Sequence, residues 1–111
     1  MNTDYLRTKV MEILQRHRGR DNAILRERLL FELQAFDPKL DDRAMRKLYS
    51  SLPVAACPGG LFIPRSSSEL ADFREYMVRN YGHERAHARV KIILAYFPAL
   101  AEADAKQPGL F

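Results

Sequence analysis

The residues best able to do chemistry are a histidine pair, a lone cysteine and a run of cations. His83-Glu84-Arg85-Ala86-His87 reads H-E-x-x-H. In that pattern two histidines at i and i+4 on one helix face grip a Zn²⁺ while the glutamate polarises its bound water. A catalytic zinc of this kind also needs a third protein ligand, and the nearby downstream candidate is Glu102. Arg85 between the histidines and Arg89 just after them set positive charge against a dication. Gly82 upstream weakens the helix by about 1 kcal/mol. No catalytic metal and no cofactor is expected. Cys57 has no histidine or carboxylate beside it in sequence and reads as a small buried or half-buried strand residue rather than a nucleophile. His17 reads as a last-turn helix residue facing the negative end of the dipole. With no phosphate loop, dinucleotide fingerprint or serine elbow, the chain is not expected to be an enzyme.

The cations are more informative. Over about residues 43–51, Met45, Leu48 and Leu52 share one helical face, and Arg43, Arg46, Lys47 and Ser50 take the other. Asp41 or Asp42 is placed to cap this helix. Cationic and hydroxyl side chains on an outer helix face can enter a major groove and reach both phosphates and base edges. Lys39 and Arg65 are placed to hold flanking phosphates.

Four helical segments and a hairpin would position these residues. Leu6, Val10, Ile13 and Leu14 have helical spacing over residues 3–17, with Thr3 as cap and Gly19 as the stop. Ile24, Leu25, Leu29, Leu30 and Leu33 form the stripe of a second helix, broken near Pro38. The basic helix is the third. Val54-Ala55-Ala56-Cys57 and Leu61-Phe62-Ile63 then read as two short strands around Pro58-Gly59-Gly60. Ser66-x-x-Glu69 is a capping-box signal for a last helix. Its stripe changes face near Gly82, which leaves one long helix, a kinked one or two. Three helices followed by a hairpin is the order of a winged helix-turn-helix. The fold class expected is therefore mainly α with a small β-hairpin, a winged helix-turn-helix followed by a long or kinked C-terminal helix. The wing tip is uncharged and can offer a phosphate only backbone amides.

Three stretches resemble a family of short winged-helix proteins encoded by bacteriophages and prophages. They are Gly19-Arg20-Asp21-Asn22-Ala23-Ile24, Leu40-Asp41-Asp42-Arg43-Ala44-Met45-Arg46 and Gly59-Gly60-Leu61-Phe62-Ile63-Pro64-Arg65. The likeness covers about residues 19–97. It implies a winged-helix fold and a role around phage DNA replication or regulation. Leu25 departs from the Ser or Thr that such proteins tend to place as the cap of the second helix.

The chain ends Gln107-Pro108-Gly109-Leu110-Phe111. This resembles the Gln-x-x-Leu-Phe peptide by which bacterial polymerases, mismatch-repair proteins and clamp loaders bind the DNA sliding clamp. A glutamine anchors by hydrogen bonds while two adjacent apolar side chains fill a pocket. Pro108 removes one amide and lowers the affinity expected. Residues 1–97 are thus expected to form the winged-helix domain with its C-terminal helix, and residues 98–111 a flexible tail.

Composition sets outer bounds. At 111 residues the chain has room for one modest core, which excludes a (β/α)₈ barrel. Hydrophobic residues at 47% and charged residues at 29% exclude a disordered chain. No apolar run approaches the roughly 20 residues of a membrane span. The N-terminus lacks the shape of a secretory signal, and one cysteine suits a reducing compartment, so a cytoplasmic location is expected. The expected function is a non-enzymatic adaptor that links duplex DNA, or a replication complex on it, to the host sliding clamp. A DNA-binding regulator with an irrelevant tail, or a winged helix used only for protein contacts, fits the same residues. The last helix could also support a homodimer. No membrane partner is expected.

Overall fold

A computed structural model describes residues 3–101. The first helix, α1 (Thr3–Leu14), buries Leu6, Val10, Ile13 and Leu14, the stripe that its spacing set out. His17 lies beyond the helix, and its ring Nδ1–H donates to the Asn22 carbonyl at 2.7 Å. That local bond replaces the expected contact with the helix dipole. Arg20–Asn22 form a short 3₁₀ turn.

Ile24 does not open the second helix. It pairs antiparallel with Leu61, each N–H donating to the other's carbonyl at 2.8 Å. The helix α2 (Arg26–Leu33) starts two residues later, with exposed Leu25 as an extended N-cap that makes no side-chain cap bond. Leu29 and Leu33 enter the core, and Arg16 Nη2 reaches Glu32 at 2.9 Å to fasten the end of α1 to α2. Through the turn at Pro38, the Asp37 carboxylate accepts from the Lys39 N–H at 3.2 Å.

The third helix, α3 (Asp42–Tyr49), is capped by Asp41, whose carboxylate accepts from the Ala44 N–H at 2.8 Å. Met45, Leu48 and Leu52 are buried. Next comes an antiparallel hairpin of β1 (Ala55–Cys57) and β2 (Gly60–Phe62), with Ala55 opposite Phe62, Ala56 opposite Leu61 and Cys57 opposite Gly60. Pro58-Gly59 make its turn. Gly60 sits at φ +126°, and a Cβ there would stand 2.1 Å from the Ile24 carbonyl oxygen. The close approach of the Ile24 segment therefore needs glycine.

Ser66 Oγ accepts from the Glu69 N–H at 3.2 Å and starts α4 (Ser67–Tyr81). Glu69 returns its carboxylate to the Arg65 N–H at 2.8 Å and the Arg20 N–H at 2.9 Å. The box is thus shifted by one residue and also anchors the 3₁₀ turn. Residues 67–96 hold two helices, not one. Gly82, at φ +94°, separates α4 from α5 (His83–Tyr96). An added Cβ at Gly82 would meet nothing within 4 Å, so the break is a matter of backbone conformation alone.

Packing falls into two cores. The first joins α1, α2, α3, Ile24 and the inner side of the hairpin. In the second, Ala86 and Ile93 of α5 pack with Leu70, Phe73 and Met77 of α4 against Ala55 and Phe62. Phe97 packs against both. Pro98 does not end the ordered packing, because residues 99–101 are helical and Leu100 is buried in the second core. The architecture is mainly helical with one small antiparallel sheet. Among the described residues no helix is long and apolar enough to cross a membrane.

Candidate nucleic-acid interface

Successive α3 residues advance by about 100° around the axis, so Arg46, Ser50, Arg43 and Lys47 span one arc of about 100°. That arc lies opposite the side that Met45 and Leu48 bury, and all four residues are exposed. The side chains of Arg43 and Lys47 have no hydrogen-bond or ion-pair partner among the described residues. Ser50 is occupied locally, its hydroxyl donating to the Lys47 carbonyl at 2.8 Å. Arg46 is partly neutralised. Its Nε meets Asp42 Oδ2 at 3.0 Å, while Arg26 Nε of α2 meets Asp42 Oδ1 at 3.3 Å. Burial raises the Tyr49 pKa above its ordinary value, and the Arg26 charge opposes that rise.

The flanking cations sit differently. Lys39 is exposed in the turn that leads into α3. Arg65 is exposed too, but its guanidinium lies against Gly19, where a Cβ would come within 2.8 Å of Arg65 Cζ. It does not line the groove, described next, that takes in Arg46 and Ser50.

That groove, of about 510 Å³, runs between the α2–α3 corner and the α4–α5 junction, with the hairpin between them. Sequence reasoning missed most of it. Arg26, Tyr49, Tyr76, Tyr81, Arg85 and Arg89 line it beside Arg46 and Ser50. Arg89 crosses to the other wall. Its Nη1 donates to the Ser50 carbonyl, and its Nη2 donates to the carbonyls of Leu52 at 3.0 Å and Val54 at 2.8 Å. Carbonyls at and beyond a helix end lack helical partners, and a cation there is also favoured by the dipole. Burial pulls the Arg89 pKa below its ordinary value. The available signal was the four-residue step from Arg85 to Arg89, which puts both on one face of α5.

His83 and His87 are exposed in the first turns of α5. Among the described residues no three His, Cys, Asp or Glu side chains gather as a metal site requires. Glu102 lies outside the described residues, as do Gln107, Leu110 and Phe111 of the tail. Cys57 is a free, half-buried thiol in β1. No family model, curated protein or solved structure matches the chain.

Proposed function

We infer that the chain is a non-enzymatic DNA-binding adaptor: a winged helix-turn-helix that holds duplex DNA on the outer arc of α3 and presents residues 107–111 to a bacterial sliding clamp. The observation that carries the DNA reading is the unpartnered, exposed state of Arg43 and Lys47 on the side of α3 opposite its buried face. The order of elements supports it. A helix, an edge segment at Ile24, two further helices and a hairpin follow one another in the order that a winged helix would need, and in such a fold the third helix would face a major groove. Phosphates would meet Lys39, Arg43 and Lys47, and Ser50 and Arg46 would lie nearest the hairpin. The clamp reading rests on the tail's sequence.

Two binding assays test the parts separately. In a gel shift with duplex DNA, Arg43→Ala/Lys47→Ala is expected to weaken binding at least tenfold. An unchanged affinity would favour a winged helix that contacts proteins only. That second reading has its own observation in the exposed rings of Phe31 (69%) and Phe36 (45%), away from α3. For the tail, wild type and Leu110→Ala/Phe111→Ala are titrated against a bacterial sliding clamp. Each buried apolar side chain is worth about 1.5–3 kcal/mol, so the variant is expected to lose at least about a hundredfold in affinity with its melting temperature unchanged. Failure of the wild type to bind at about 100 μM clamp, a Kd above which association is weaker than about −5.5 kcal/mol, removes the adaptor part.

A further inference from the structure

We propose that the groove between the α2–α3 corner and the α4–α5 junction is a binding site for single-stranded nucleic acid, adjoining the proposed duplex-binding arc of α3 and sharing Arg46 and Ser50 with it. Three features meet there. The first is charge. Arg26 and Arg46 stand on one wall and Arg85 and Arg89 on the other, with Glu27 as the one carboxylate lining the groove among the described residues. Asp42 bridges Arg26 and Arg46 and offsets one of the two charges on the first wall. This leaves the cleft net positive, and an anion between the walls would relieve the remaining repulsion. Arg85 is exposed and makes no hydrogen bond or ion pair with a described residue, so its five donors are open to a phosphate.

The second feature is aromatic. Tyr49, Tyr76 and Tyr81 line the same groove. Tyr81 is 53% exposed, and its ring is held in an edge contact by Tyr76, with centroids 6.5 Å apart and planes at 66°. A half-exposed ring already braced by a neighbour can take a base on its open face at little further ordering cost.

The third feature selects the strand state. Arg89 ties the two walls together through the carbonyls of Ser50, Leu52 and Val54. The stacked bases of a duplex offer no face to a tyrosine on a wall held in this way. A single strand has both a narrow backbone and open bases. Its phosphates would run between Arg85 and the Arg26–Arg46 pair while a base stacks on Tyr81. The groove is reached from α3 through Arg46 and Ser50, so a duplex on the arc and a single strand in the groove could belong to one branched substrate. The groove proposal stands whether or not the arc binds duplex.

Fluorescence anisotropy with oligomers of about twelve nucleotides tests it, a length near the site size of single-strand grooves. The probes are oligo-dT, oligo-rU and a blunt duplex, each titrated with the full chain. Tyr81→Ala and Arg85→Ala change exposed side chains, and melting temperatures check that both variants fold. Each is expected to weaken oligo-dT or oligo-rU binding about tenfold and duplex binding less than twofold. Arg43→Glu/Lys47→Glu is expected to do the reverse. The tighter of the two oligomers identifies DNA or RNA as the source of the strand. Duplex binding without single-strand binding overturns the groove proposal and leaves the α3 reading intact. Equal losses on all probes overturn it as well, since one shared surface would then serve both. Displacement of oligo-dT by polyglutamate at equal charge concentration would assign the groove to an acidic polypeptide instead. Binding of none of the probes overturns both readings.

Discussion

α3 and α5 each carry a basic pair four residues apart, Arg43/Lys47 and Arg85/Arg89, and the fold uses the two pairs differently. On α3 both side chains point to solvent, away from Met45 and Leu48. On α5 only Arg85 does so. Arg89 is half-buried and bound to three carbonyls at and beyond the end of α3. Residue type and spacing are nearly the same in the two cases. What differs is the neighbour, because the end of α3 presents carbonyls with no helical partner to α5 and nothing comparable to its own outer arc. A cation stays exposed where the fold offers it no acceptor.

The comparison can be broken first at α3 itself, where the two sides should differ most. Met45→Ala empties a fully buried site and is expected to cost about 2–5 kcal/mol in urea unfolding, whereas Arg43→Ala should stay within about 0.5 kcal/mol. Similar costs on the two sides would mean that the helix is not seated as described.

The α5 pair sharpens the same point. Arg89→Ala removes three hydrogen bonds, though the Leu52 carbonyl keeps the one from the Val54 N–H and exposed Ser50 can turn to water, and is expected to cost about 1–3 kcal/mol. Arg85→Ala is expected to cost less than about 0.5 kcal/mol. Arg89→Lys should recover only part of the loss, since an ammonium lacks the rigid fork that reaches several acceptors at once. Thermal melts of the three variants check this, and equal melting temperatures for the two alanine variants would erase the distinction.

The smallest effect concerns Tyr49, on the side of α3 that faces Arg26. Burial raises its pKa, so the folded chain prefers the neutral phenol. Stability should therefore be unaffected by this group below the ordinary tyrosine range and fall as pH climbs through that range toward the raised value. Tyr49→Phe removes that share of the alkaline loss. Chemical denaturation at neutral and alkaline pH measures the difference, and identical pH profiles for the variant and wild type would assign the loss to other groups.

Much of this was legible locally. The stripes of α1 and α3, the Asp41 cap, the Ser66 cap and the hairpin each depend on residues within a turn or two of one another, which is the range over which spacing carries information. Ile24 was misplaced because an apolar residue just ahead of a helix suits a first turn as well as an edge pairing. Its partner, Leu61, is distant in sequence, and only tertiary structure decides between the two. Glu69 sits where a local capping box would close, yet one of its oxygens reaches back to the Arg20 N–H. The face change at Gly82 was visible, whereas the folding of α5 against α4 depends on a second core that includes Ala55 and Phe62 of the hairpin. The arc on α3 was legible because a buried stripe defines its opposite side. The groove was not, since four separate elements and the hairpin meet to form it, and Arg85 and Arg89 drew notice only as charges opposing a metal.

The most direct test of the duplex-binding arc is the salt dependence of affinity for a blunt DNA duplex. Each neutralised phosphate contributes about 0.9 to the slope of log K against log salt concentration. For Arg43→Glu/Lys47→Glu the slope is expected to shrink by about two, with weaker binding and an unchanged melting temperature. The same slope and affinity in wild type and variant would contradict the assignment of α3 as the DNA-facing helix.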